Sequence, residues 1–179
     1  LPDGMILAGL TNGNAMFRSN SLTSLPSSMT LASLTNGQSM FRNNILESLS
    51  DGITLDNLTD GGYMFRDNNI ISLPTAMTLA SLTIGDNMFR GNDLTYLPTN
   101  MNLSSLNTAI SMFRTNILTT LPSGMKLQSL TNGSSMFIGN TLNTTRYSQL
   151  LVDLESDNPN DGVTFNGGNS EYNTTGETA

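Results

Sequence analysis

The sequence predicts a repeat solenoid of mainly β structure, a right-handed stack of six 24-residue coils closed by a small α/β segment. Three observations lead to this class. A pattern of 24 residues recurs six times between Leu1 and Thr144. The same positions of each unit are apolar, and glycine or proline recurs at fixed positions between them. A fixed period of about 20 to 50 residues is typical of arrays in which each unit packs on its neighbours.

The shared pattern of the repeats is L-P-x-x-M-x-L-x-x-L-T-x-G-x-x-M-F-R-x-N-x-L-x-x, numbered here as repeat positions 1 to 24. The repeats begin at Leu1, Leu25, Leu49, Leu73, Leu97 and Leu121. Positions 1, 5, 7, 10, 16, 17 and 22 are apolar. This spacing lacks the i, i+3, i+4, i+7 stripe of a long helix. We therefore expect one short strand at M-x-L and another around M-F-R, with turns at dipeptides such as Asn12-Gly13 and corners at proline.

Two domains follow from the pattern: residues 1–144 form the six-coil solenoid and residues 145–179 a C-terminal capping segment. In the capping segment, Tyr147, Leu150, Leu151 and Leu154 share one helical face, which predicts a short helix over 147–154. Residues 163–165 are predicted to form a strand. The acidic run from Asp153 to Asp161 faintly resembles a calcium loop, but it lacks the required glycine and final acid. A solvated acidic turn is the favoured interpretation, and no metal site is predicted.

Composition excludes several classes of function. The chain contains neither histidine nor cysteine, which removes Ser-His-Asp and Cys-His machinery and nearly all zinc sites. The net charge is −7, which argues against nucleic-acid binding. No run approaches the ~20 apolar residues of a membrane span. A paired-carboxylate glycosidase is conceivable, but the repeat pattern selects no pair among Asp51, Asp56, Asp60, Asp67, Asp86 and Asp93. We predict a protein that is not an enzyme and has no cofactor.

Asparagine occupies position 20 of every repeat, between the Phe and Leu positions. We expect these side chains to point inward, where a buried amide must find hydrogen-bond partners. They would form a structural ladder bonded to the backbone of their own and adjacent coils. A row of exposed asparagines that binds a ligand is the disfavoured alternative. The residues of this Asn ladder are Asn20, Asn44, Asn68, Asn92, Asn116 and Asn140.

Arginine occupies position 18 of five repeats and accounts for five of the seven basic residues. At the ~4.8 Å spacing of neighbouring strands, the five guanidiniums would form a line roughly 20 Å long. One interpretation is a binding stripe for a repeating anion. The other, which we favour, is that each Arg covers apolar neighbours and bonds loop carbonyls or an acid such as Asp67. The residues of this Arg row are Arg18, Arg42, Arg66, Arg90 and Arg114.

The repeats also resemble a known family. The segment F-x-x-N-x-L-x-x-L-P, as in Phe17 to Pro26, resembles the second half of a leucine-rich repeat. The M-F pair with its 24-residue period resembles BspA-like bacterial surface repeats. It is also similar to repeats of mycoplasma lipoproteins and of marine bacterial or phage proteins. The resemblance covers residues 1–144, and the tail resembles segments that close such arrays. The position two before the Phe departs from the usual Leu, as at Ala15 and Tyr63.

The resemblance implies an extracellular, cell-surface or virion location. We expect a non-enzymatic adhesion module, from a bacterial surface protein or a phage tail fibre, that binds an anionic glycan, lipopolysaccharide or a host surface. The alternative is a structural fibre or spacer subunit that assembles through stack ends or edges. The chain begins in mid-pattern at Leu1, so the first repeat would expose apolar surface. We expect a larger parent chain upstream, or otherwise another copy of the protein, to cover it.

Overall fold

A computed structural model describes residues 1–176 of the chain. Its regular elements are strand β1 (Asn132–Gly133), helix α1 (Thr144–Asp157) and strand β2 (Thr164–Phe165). The two strands form a parallel sheet in which Asn132 is paired with Thr164. The other described residues lie in turns, bends and irregular segments. Single-residue parallel bridges at position 12 join neighbouring repeats, from Asn12 through Asn36, Asp60, Ile84 and Thr108 to Asn132.

The predicted fold class, a leucine-rich-repeat-like and mainly-β solenoid of right-handed coils, is therefore wrong. The described residues contain one helix and one two-stranded sheet, and most of the chain is non-regular. Turns flank the first strand predicted in each repeat and interrupt the second. On either side of M-x-L in the second repeat, the Met29 N–H donates to the Pro26 carbonyl and the Leu34 N–H to the Leu31 carbonyl, in each case three residues back. Bonds of this kind close tight turns and prevent an extended strand.

The M-F-R segment is a pair of overlapping turns. In the second repeat, the Met40 N–H donates to the Gly37 carbonyl and the Arg42 N–H to the Ser39 carbonyl. Position 15 has a left-handed backbone in all six repeats, with φ between 54° and 61°. Such a residue breaks an extended strand, because β structure requires negative φ. The six residues at position 15 are Ala15, Ser39, Tyr63, Asn87, Ser111 and Ser135.

Neighbouring repeats are nonetheless held in register by backbone bonds at a fixed spacing. The Gly37 N–H donates to the Asp60 carbonyl at 2.8 Å, and the Phe41 N–H donates to the Met64 carbonyl at 2.9 Å. The Phe rings of position 17 form one stack from Phe17 to Phe137, in which the centroids of neighbouring rings are 5.4 to 5.7 Å apart. The repeats therefore pack side by side around a shared apolar core, although few of their residues are regular β structure.

The residues after the sixth repeat pack against it. Helix α1 extends beyond the predicted 147–154, and the Asn143 side chain caps it by accepting from the Arg146 N–H. Strand β2 lies within the predicted 163–165. The Phe165 ring lies edge-on to Phe137 at 6.1 Å and covers Gly133, as a Met covers the equivalent glycine of earlier repeats. Within residues 1–176, no helix is both long and apolar enough to cross a membrane.

Candidate binding surface

The Asn ladder lies in the interior for five of its six members, and only Asn20 is exposed. Asn68 shows the arrangement. Its Nδ2 donates to the carbonyls of Phe65 and Phe41, both at 3.0 Å. Its Oδ1 accepts from the Leu46 N–H at 3.1 Å. Each buried amide thus joins its own repeat to the preceding one, and its main donor and acceptor are already bonded to backbone. The buried amides therefore have few hydrogen-bonding groups left for a ligand, and the ladder is not a candidate site.

The Arg row lies on the outside of the stack, one residue after the buried Phe of position 17. Backbone bonds on both sides fix its place: the Phe41 N–H donates to Met64 and the Asn43 N–H donates to Arg66. Arg18 is exposed, and the other four members are half-buried. Ile138 occupies the same position in the sixth repeat and ends the row. The five arginines therefore follow the stacked Phe residues on five consecutive repeats.

Neighbouring side chains hold parts of the row in place. The Arg42 and Arg66 guanidinium carbons lie 5.4 and 5.6 Å from the centre of the Tyr63 ring, within the range of cation–π contacts. The Arg90 Nη1 donates to the Asn87 Oδ1 at 3.2 Å. Tyr63 and Asn87 both occupy position 15, three residues before an Arg. Their contacts with the row were not predicted from the sequence, although this three-residue offset is a signal that could have suggested them.

The members of the row repel one another. The pKa of Arg42 lies below its usual value because of burial and, to a smaller extent, because of the charges of Arg66 and Arg18. The pKa of Arg90 is lowered in the same way, by burial first and then by Arg66 and Arg114. An arginine remains protonated at any ordinary pH. The consequence is therefore a line of persistent positive charges that an anion would stabilise.

The accessible part of these side chains is the outer end of the guanidinium. The Nε atoms of Arg42 and Arg66 are buried, and neither has a hydrogen-bond partner within residues 1–176. The Arg66 Nε lies 3.1 Å from an Asp67 carboxylate oxygen, which is an ion pair without hydrogen-bond geometry. An external anion would therefore meet the Nη groups. The arrangement supports charge-assisted hydrogen bonds to anions.

The other candidates are not assembled into a site. Several of the scattered acids serve local structure: Asp60 accepts from the Gly62 N–H and Asp86 from the Ile110 N–H. In the tail, Asp153 accepts from the Gln149 side chain. Across the described part of the chain, no three acidic residues are grouped so that they could hold a metal ion. The positively charged Arg row is therefore the candidate binding surface.

Comparison of the chain with protein-family models, with curated proteins and with solved structures found no match. The resemblance to bacterial surface repeats therefore rests on the repeat pattern alone.

Proposed function

We propose that this chain is a non-enzymatic recognition module of an extracellular, cell-surface or virion protein, which binds an anionic glycan or lipopolysaccharide along the Arg row. The observation that carries the proposal is the row itself. Five of the seven basic residues of a chain with a net charge of −7 occupy one position of consecutive repeats. A polymer with regularly spaced anionic groups would meet several of them at once, and such multivalent contact strengthens binding without new kinds of contact.

Charge repulsion along the row is small enough to be tolerated in the folded protein. Two like charges about 5 Å apart in water repel by only ~0.8 kcal/mol before salt screening. The same weakness means that one Arg would hold one anion only loosely, since exposed ion pairs contribute roughly 0.2 to 1 kcal/mol each. Useful affinity therefore requires several contacts in a line, which favours a polymeric ligand over a small anion.

The rival role for the row is packing, and the contacts of Arg66 support it. This guanidinium stacks on Tyr63 and pairs with Asp67, and its side chain is only 21% exposed. Under the packing role, loss of the arginines would destabilise the fold and leave retention on anionic matrices unchanged. Under the binding role, the fold would survive and retention would fall. The two roles therefore make opposite predictions.

The test compares retention on immobilised heparin, a sulfated polyanion, over a salt gradient. We expect the triple variant Arg42→Gln, Arg66→Gln, Arg90→Gln to elute at clearly lower salt than the native protein while keeping its melting temperature. Two single variants with the same change in net charge provide the matched control. Arg66→Gln should reduce retention more than Lys126→Gln, because Lys126 is exposed but lies outside the row. Equal retention of the triple variant and the native protein would disprove the proposal.

A second candidate function is a structural subunit that assembles through its first repeat. The supporting observation is the exposure of apolar side chains there: Met16 is 48% exposed, whereas Met40 at the same position of the next repeat is fully buried. Sedimentation of the native chain and of Met16→Gln would test it. Concentration-dependent association that the substitution removes would support assembly, and a monomer at all concentrations would exclude it for this chain.

A further inference from the structure

We propose that a cavity between the later repeats and helix α1 is a second binding site of the protein and takes one acidic sugar. The cavity has a volume of about 380 Å³, near the lower end of the range of roughly 300 to 1,000 Å³ for small-molecule sites. None of the residues that line it belongs to the Arg row. The proposal is carried by an exposed tyrosine, a fixed arginine and a group of hydroxyls.

Tyr96 supplies an exposed aromatic ring to the cavity. It occupies position 24, where the other five repeats have only serine or threonine, and it is 48% exposed. Beside it, Leu97, Leu121 and Pro122 form an apolar part of the lining. The face of an aromatic ring is negative, so it attracts the slightly positive C–H hydrogens on the face of a sugar ring. This part of the cavity therefore favours a ligand with a flat, weakly polar face.

Arg146 supplies a positive charge to the same cavity. Its Nε donates to the Leu121 carbonyl at 3.2 Å, which fixes the orientation of the guanidinium and reduces the entropy that binding must remove. In the part of the chain that the structure describes, its Nη groups have no hydrogen-bond or ion-pair partner, and they are not buried. A guanidinium can donate two parallel hydrogen bonds to a carboxylate. The ligand is therefore expected to carry a carboxylate.

Three hydroxyl groups distinguish a sugar from other flat carboxylates. Thr99, Thr120 and Ser123 also line the cavity, and all three are exposed. The Thr59 hydroxyl, at position 11, donates to the backbone of the preceding repeat, but no such bond engages these three within residues 1–176. A hydroxyl both donates and accepts, so each can bond a sugar hydroxyl in either direction. An aromatic acid has no hydroxyls that would use them, and we therefore favour an acidic sugar such as a uronic acid.

The site is independent of the function proposed for the Arg row. The row occupies position 18, whereas the repeats contribute only positions 24, 1, 2 and 3 to the cavity, and helix α1 contributes Arg146. Because the three hydroxyl-bearing residues are exposed, the cavity is open on their side. A sugar held there can be free or can remain linked to a longer glycan.

Titration with sodium glucuronate, followed by NMR of the backbone amides at constant ionic strength, tests the site. We expect the amides of Tyr96, Leu121 and Ser123 to shift. Glucose, which lacks the carboxylate, should bind at least about tenfold more weakly, and benzoate and acetate should also bind more weakly. Methyl glucuronoside, whose blocked anomeric oxygen represents the end of a glycan, distinguishes the two sources: it should bind as glucuronate does if the site takes a linked sugar, and only glucuronate should bind if the sugar is free.

Variants at the cavity make the test specific. Arg146→Gln should weaken glucuronate binding by about tenfold or more and leave glucose binding unchanged. Tyr96→Thr introduces the residue found at position 24 of the next two repeats, so the fold should survive, and binding of both sugars should weaken by about two- to tenfold. Tyr96→Phe keeps the ring and should bind as the native protein does. Lys126→Gln removes the same charge outside the cavity and is the control for Arg146→Gln.

Three results would overturn the inference. The first is unchanged glucuronate binding by either Arg146→Gln or Tyr96→Thr. The second is glucose binding as tight as that of glucuronate, which would exclude recognition of the carboxylate. The third is benzoate or acetate binding as tight as that of glucuronate, which would exclude recognition of the sugar.

The triple Arg variant separates this inference from the proposed function. It should bind glucuronate as the native protein does, whatever its retention on heparin. If it loses glucuronate binding while Arg146→Gln keeps it, the sugar binds to the Arg row and the second site does not exist. If it keeps both glucuronate binding and heparin retention, the function proposed for the row fails and the second site stands.

Discussion

The Nε atom of Arg66 lies 3.1 Å from a carboxylate oxygen of Asp67, the residue that follows it. This is an ion pair at the centre of the Arg row, and it neutralises one of the five positive charges. Asp67 is the acid in this position of the repeat; the other repeats have Ser19, Asn43, Gly91, Thr115 and Gly139 there. The pair therefore opposes anion binding by the row, and its removal distinguishes a binding role from a packing role.

Replacement of Asp67 by Asn should strengthen retention on heparin, because Arg66 would lose its competing carboxylate. Asn is nearly isosteric and tolerates the left-handed backbone, with φ of 55°, at this position. Asp93→Asn is the matched control, since it removes the same charge from an exposed residue of the next repeat. The salt concentration at elution measures the effect. An equal shift for both variants would mean that only net charge matters.

Replacement of Asn68 by Ala should destabilise the fold. The change leaves the N–H of Leu46 without its partner. The carbonyls of Phe41 and Phe65 each lose one of two amide donors and keep the other, from Asn44 and Asn92 respectively. A buried group left without its hydrogen bond costs about 1 to 3 kcal/mol, so the free energy of unfolding should fall by about that amount. Chemical denaturation measures it. Asn69→Ala, at the exposed neighbouring residue, should have little effect; similar losses for the two variants would contradict a structural role for Asn68.

Replacement of Gly37 by Ala tests the close contact between repeats. A Cβ atom there would lie 2.8 Å from the Met64 Sδ and 3.2 Å from a Leu34 methyl. Overpacking of a filled core costs about 1 to 3 kcal/mol, and we expect the lower end because the fifth repeat accommodates Ala109 at this position. Gly124→Ala, where the added atom meets nothing within 4 Å, is the control. Denaturant midpoints that are equal for both variants would show that Met64 adapts without cost.

The register of the repeats could be predicted from the sequence, but their local conformation could not. The 24-residue period places Phe41 beside Phe65 and Asn68 beside the preceding repeat, because identical positions pack on each other. The strand at M-F-R was wrong because position 15 is left-handed, and Ser39 and Tyr63 give no sign of it. Glycine would have given that signal, since it adopts positive φ freely. Here the tertiary contacts of the neighbouring turns determine the backbone instead.

For the candidate surface too, the placement of the residues could be predicted from the sequence, but their individual contacts could not. The Arg row follows from the period, because one position of consecutive repeats must lie on one side of the stack. The contacts of individual members depend on details that differ between repeats. Arg42 and Arg66 share Tyr63, and Arg90 bonds Asn87. These contacts come from the folding of two turns onto each other, and periodicity carries no information about them.

High pH should weaken the contact between helix α1 and the tail. Tyr147 is buried beneath Gly167, where an added Cβ would overlap the Tyr147 ring. Burial raises the pKa of Tyr147 above its ordinary value of about 10, and this effect exceeds the opposing hydrogen bond with the Gly167 backbone. The folded state therefore favours the neutral phenol. The stability that it contributes is fully present below pH about 10 and is lost as the pH rises through the folded-state pKa, because the unfolded chain ionises first.

Melting temperatures between pH 8 and 11 should therefore fall more steeply for the native protein than for Tyr147→Phe. The substitution keeps the ring and removes the ionisable group. Tyr96→Phe is the control, because it removes the same hydroxyl group from an exposed side chain of the fourth repeat. If the native protein and Tyr147→Phe have parallel profiles, the phenol ionises without opposing the fold, and the contact between α1 and the tail does not depend on its neutral form.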